Sequence, residues 1–136
     1  MVKYSNVLFF TMLFLISVEL TAQPQQSLEG VWRSTITGYN EYLGHYEIKI
    51  ILTIQNSQYT WLTERVSEAM FWSSGERGIL IINDSEIIFS QKERTFNQWN
   101  PRWENEDGIN IYLFRIDDNV LILNQDNKIL IFEKDL

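Results

Sequence analysis

Covalent chemistry needs reactive side chains held together, and this chain offers few. It contains one His and no Cys. Thiol nucleophiles, disulfide scaffolds, Cys-ligated zinc and any site built from several histidines are therefore excluded. His45 follows Gly44 at the start of an extended run. A general base there would need a nucleophile and an acid within reach, and no Gly-x-Ser-x-Gly elbow occurs. Glu104, Glu106 and Asp107 form an acidic cluster. They lack the Asp-x-Asp-x-Asp-Gly spacing of a calcium loop, so a solvated loop is the simpler reading. The expectation is no catalytic residue, no metal, no cofactor and no enzymatic activity. What the chain does hold is aromatic: 5 Trp, 6 Tyr and 8 Phe in 136 residues. Such side chains suit packing or non-covalent binding rather than bond making.

Charge narrows the partners further. Eleven Lys and Arg face eighteen Asp and Glu, a net charge of −7. An acidic domain repels phosphate backbones, so nucleic acid is not an expected partner. Anionic membrane surfaces are disfavoured for the same reason. Residues 1–6 carry one Lys, and residues 7–18 form an apolar run of twelve. A helix of that length reaches about 18 Å, short of the roughly 30 Å hydrocarbon core. Thr21 and Ala22 then precede a polar stretch. These are the three regions of a secretory signal peptide. The expected organisation is a cleavable leader at 1–22, a polar lead-in at 23–27 and one domain at 28–136. The mature protein would be secreted or periplasmic, with no membrane insertion after leader removal.

The elements that must position the aromatic residues are strands. Runs rich in β-branched and aromatic residues alternate with turn residues. The runs are Leu28–Ile36, His45–Gln55, Gln58–Val66, Ile79–Ile82, Ser85–Gln91, Ile109–Ile116, Val120–Asn124 and Lys128–Lys134. Ser67–Ser74 is ambiguous, Gly75-Glu-Arg-Gly78 reads as a turn, and Lys92–Gly108 reads as one long irregular stretch. The second run alternates cleanly: Tyr46, Ile48, Ile50, Leu52 and Ile54 share one face. One face is therefore buried. Eight or nine short runs with tight connections make an antiparallel up-and-down meander. Such a meander must close to hide its edges and its apolar face. The expected fold is all-β, an eight- to nine-stranded barrel.

Leu28-Glu-Gly30-Val-Trp32 stands at the head of the first strand. This resembles the Gly-x-Trp signature of the lipocalin and wider calycin group. Tyr59-Thr-Trp61, the segment Gly78 to Phe89, and Val120–Leu123 leading to Phe132-Glu-Lys134 are similar to small secreted bacterial lipocalin-like domains. The likeness covers residues 28 to 134. It implies that Gly30 and Trp32 close one barrel end. It also implies that a basic side chain from the last strands, Lys134 or Arg115, stacks on the indole. A carboxy-terminal helix and the Cys pair of many animal lipocalins are absent from the sequence.

Strand phase turns Tyr46, Ile48, Ile50, Tyr59, Trp61 and Phe89 inward, with Tyr112 and Phe114 narrowly preferred over Ile111 and Leu113. These eight are the expected cavity wall for a small apolar or aromatic ligand; a core filled by the same side chains is the competing reading. Phe96, Trp99 and Trp103 punctuate the irregular stretch. They are expected to fold back as a lid over the barrel mouth or, alternatively, to dock a protein partner. The expected role is ligand binding without chemistry, by a monomer. The alternative is an envelope-associated inhibitor or assembly factor.

Overall fold

The computed structural model describes residues 27–136. The expected leader and all but Ser27 of the lead-in lie outside them. Eight strands follow in chain order: β1 (Gly30–Asn40), β2 (Gly44–Gln55), β3 (Gln58–Ser67), β4 (Phe71–Asn83), β5 (Glu86–Thr95), β6 (Glu104–Asp117), β7 (Val120–Gln125) and β8 (Lys128–Lys134). Each pairs antiparallel with the next, and β8 returns to β1 to close a barrel. The closing seam is short. Trp32 faces Lys134 and Arg33 faces Glu133. Asp135 N–H donates to the Val31 carbonyl, and its carboxylate accepts from Arg33 Nε at 3.0 Å.

Tight turns set the register. Asn56 and Ser57 both have positive φ, as do Asp126 and Asn127. Two such residues in succession give a type I′ turn, whose twist matches that of the flanking strands. Register then fixes which face is buried. Trp32, Leu52, Ile87, Leu121, Leu123 and Phe132 are wholly enclosed. On the last two strands Leu121, Leu123, Leu130 and Phe132 are buried.

Two segments depart from the sequence reading. Residues 75–78 are not a turn; they run through the middle of β4, which takes in the second half of the ambiguous segment from Phe71, while Ser67 ends β3 and residues 68–70 turn between them. Both glycines there admit close neighbours. A Cβ on Gly75 would come within 3.2 Å of the Trp103 ring, and one on Gly78 would meet the Ser90 carbonyl oxygen. The strand bulges between Arg77 and Gly78. The irregular stretch is also shorter than expected. β5 continues to Thr95 and β6 begins at Glu104, leaving residues 96–103 between them. Polar residues occupy both faces of these strand ends, so no apolar alternation marks them.

The barrel has two unlike ends. At the floor, where β1 begins, Trp32 Nε1 donates to the Leu28 carbonyl at 2.8 Å. Lys134 Nζ lies 5.4 Å from the centre of the indole. Gly30 has a positive φ, and a Cβ there would press on Lys134 Cε at 2.9 Å. Glycine thus clears the path by which the lysine stem reaches the ring. Arg115 does not share this role: it is exposed and outward-facing. The other end, the mouth, is formed by turns 41–43, 68–70 and 126–127 and the 96–103 loop.

Candidate functional site

The inward side chains form two layers. In the lower layer, aromatic rings from β3, β5, β6 and β8 meet. Tyr59 and Phe89 are 4.9 Å apart edge to face, and Trp61 is 5.5 Å from both Phe89 and Phe132. Tyr112 stacks on Trp61 at 6.3 Å and meets Phe89 at 5.7 Å. These separations lie within ordinary aromatic packing. The middle of the barrel is therefore filled by its own side chains. Ile50 and Phe114 pack in the same cluster.

Above Trp61 the inward positions turn polar. The strand phase that buries Tyr59 and Trp61 carries on to Thr63 and Arg65, and cross-strand pairing brings Glu76 opposite Trp61 and Arg94 opposite Glu76. Trp61 Nε1 donates to Thr63 Oγ1 at 3.2 Å. A cleft of about 220 Å³ opens here, lined by Trp61, Thr63, Ser74, Gly75, Glu76, Gln91 and Arg94. Arg94 donates to Glu106 at 3.3 Å on the rim. Burial raises the Glu76 carboxyl above the usual range; Arg94 pulls it back and Glu106 pushes it up again. Burial also pushes up the Tyr59 phenol, reinforced by Glu76 and Tyr112, and burial and Glu76 raise Tyr112. Among the described residues, Tyr59 Oη and Arg65 Nε are buried without a hydrogen-bond partner. Buried polar atoms are normally paired, so these two mark donor and acceptor capacity left open.

The sequence-derived wall residues divide between the layers. Ile50, Tyr59, Phe89, Tyr112 and Phe114 belong to the filled core, and Trp61 borders both core and cleft. Ile48 packs against the core from above. Tyr46 lies under the Arg65 guanidinium at 5.1 Å, its ring running across Gly38. Thr63, Arg65, Ser74, Glu76, Gln91 and Arg94 were missed. The signal for Thr63 and Arg65 was present in the period-two phase from Tyr59. Glu76 and Arg94 were hidden by the mistaken turn and the overlong loop.

The expected lid is a correction. Trp103 lies against the outer wall, beneath the Arg77 guanidinium at 4.2 Å. Arg77 in turn binds Glu93 at 2.9 Å. Thr95 Oγ1 accepts from Asn97 and Arg102 N–H groups, and Gln98 N–H donates to Ser73 Oγ, which ties the loop down outside the barrel. Trp99 is 69% exposed and borders an outer cleft of about 440 Å³ with Arg33, Lys49 and Glu64. Only Phe96 of the three stays near the rim, against Arg94 at 4.6 Å. The outward polar face of β3 and β4 explains this. Glu64 and Ser73 offer Gln98 and the loop backbone hydrogen-bond partners on the outer wall.

His45 meets Tyr39 edge to face at 5.2 Å, on the mouth end of the β1–β2 hairpin. Among the described residues, no group of three or more His, Cys, Asp or Glu gathers as a metal site. No protein-family model matches the chain, and no curated protein is significantly similar to it.

Proposed function

We propose that the chain is an exported lipocalin-like binder that holds one small aromatic molecule non-covalently in the mouth half of the barrel. The observation that carries this reading is the layered interior: an aromatic floor ending at Trp61, below a polar cleft lined by Thr63, Ser74, Glu76, Gln91 and Arg94. A planar ring would rest on Trp61, and a polar substituent would face Glu76, Gln91 and Arg94. The volume suits a single ring with a short polar arm, since a cavity of about 150 Å³ already admits benzene. The reading moves the ligand from the middle of the barrel, where the rings pack on one another, to the layer above.

The test uses a fluorescent anilinonaphthalene probe titrated into the protein, with energy transfer from tryptophan as the readout. Ser74→Phe places a ring in the cleft. It should weaken probe binding at least about tenfold, or roughly 1.4 kcal/mol, without lowering the urea midpoint. Unchanged binding in that variant would remove the proposal. Native mass spectrometry of protein from its producing cell adds a direct view of any bound small mass.

A second reading draws on Trp99. An indole this exposed, beside an outer cleft holding Arg33, Lys49 and Glu64, suits a protein partner docking on the outer wall.

A further inference from the structure

The outer surface of the barrel is of two kinds. On β1 to β3 the outward residues are mostly polar, such as Arg33, Thr35, Lys49, Thr53 and Glu64. On the opposite side they are aliphatic. β6 turns Ile109, Ile111 and Leu113 to solvent while Tyr112 and Phe114 point inward. β8 does the same with Ile129 and Ile131 outside and Leu130 and Phe132 inside. β4 adds Ile79 and Ile81. Register aligns these side chains in rows: Ile81 faces Ile88, Ile88 faces Ile111, and Ile122 faces Ile131. A strand that is apolar on both faces is the pattern of a strand covered on both faces.

We infer that this face, spanning β4 to β8, is the interface with a second copy of the chain. Its exposed aliphatic side chains are each roughly half accessible. Together they offer on the order of 600 Å² of apolar surface. A standard interface uses about 800 Å² per partner, of which roughly two-thirds is apolar in homodimers. The face therefore supplies the apolar part of what a stable dimer needs, with polar neighbours completing the rim. Its rows of Ile are self-complementary, as an isologous two-fold contact requires. A lipid surface fits less well. Arg115, opposite Ile122, is the one basic side chain in the rows, too few to anchor at a headgroup layer, and the chain carries −7. The dimer replaces the monomer expected from sequence. It leaves the mouth cleft untouched, because the cleft opens inside the barrel.

Sedimentation equilibrium of the purified protein should give twice the chain mass, with a dissociation constant of roughly micromolar or tighter. Added salt should tighten the dimer, since it screens repulsion between two acidic copies. Ile111→Lys should weaken association about a hundredfold or more with an unchanged far-ultraviolet spectrum. Ile129→Asn should act in the same direction, and Thr53→Lys on the opposite wall should leave the dimer intact. A wild-type protein that stays monomeric at every concentration overturns the inference, as does a dimer that survives both aliphatic replacements. A monomer that co-sediments with phosphatidylcholine vesicles would overturn it in favour of a lipid surface. Probe binding in the mouth is unaffected by Ile111→Lys, so failure of the dimer is distinguishable from failure of the ligand reading.

Discussion

Replacing Trp32 by Ala tests the floor of the barrel, on which the position of everything above it depends. Trp32 is fully enclosed and its Nε1 donates to the Leu28 carbonyl. Removing a buried indole costs about 3–5 kcal/mol, combining lost transfer energy with the cavity left behind. Little collapse is available here, because Leu52, Leu121 and Phe132 are held in paired strands around it. Two further losses push the value to the upper part of the range. The Leu28 carbonyl loses its partner, and Lys134 loses the ring beneath its ammonium. With a slope of about 1–3 kcal/mol per molar urea, the midpoint should fall by roughly 2 M. Trp103→Ala is the comparison. Its ring is only half-buried, and it gives up a surface cation–π contact of about 0.5–1 kcal/mol plus the cover it lends to Gly75. Far-ultraviolet circular dichroism follows both titrations without relying on tryptophan emission. Equal, small losses for the two variants would refute the assignment of Trp32 as the closing side chain.

Two other outcomes follow from the geometry. Ser57 has a φ of 60° in the β2–β3 turn; a glycine there relieves left-handed strain, so Ser57→Gly should stabilise the fold by up to about 1 kcal/mol, read from urea midpoints. Glu76 is held above its ordinary value of 4.5, chiefly by burial. Between that value and the raised folded one, the folded chain keeps a proton that the unfolded chain has released. Stability from this group is thus present at low pH and is lost as pH rises through the folded value. Glu76→Gln should flatten the dependence of the urea midpoint on pH above the usual carboxylate range and be more stable than the parent at neutral pH; an unchanged pH profile would show that the carboxyl does not feel its burial.

The barrel was legible because its signals are local and repeated. Asn56-Ser57 and Asp126-Asn127 announce hairpins, and the alternation from Tyr46 to Ile54 fixes one buried face over five positions. Trp32 was legible for a different reason: its motif, Gly30-Val-Trp32, resembles a family signature that implies a closing indole, and Lys134 does lie against both residues. β4 was harder. Two glycines in four residues usually mean a turn, but here each clears room for a neighbour, Trp103 in one case and the Ser90 carbonyl in the other. Local pattern cannot distinguish a glycine that bends the chain from one that yields space to a strand far away in sequence.

The mouth cleft was illegible for a related reason. Apolarity is what marks an inward-facing residue in a sequence, so the pattern predicts an interior that ends where apolar alternation ends. In β3 the inward phase continues past Trp61 into Thr63 and Arg65, and β5 carries Gln91 and Arg94 into the same space. Polar groups there are tolerable only where water or a ligand can reach them, because an isolated buried charge is costly. Arg94 satisfies that condition through Glu106 at the rim. Arg65 Nε, higher on the same face of β3, has no such partner among the described residues. A barrel that only needed a stable core would gain from apolar residues at these positions. Keeping Glu76 there, raised by its own burial and flanked by Arg94, trades stability for a polar surface above an aromatic floor. That exchange is what the proposed binding of a small ring with a polar arm accounts for, and a barrel built only for stability does not.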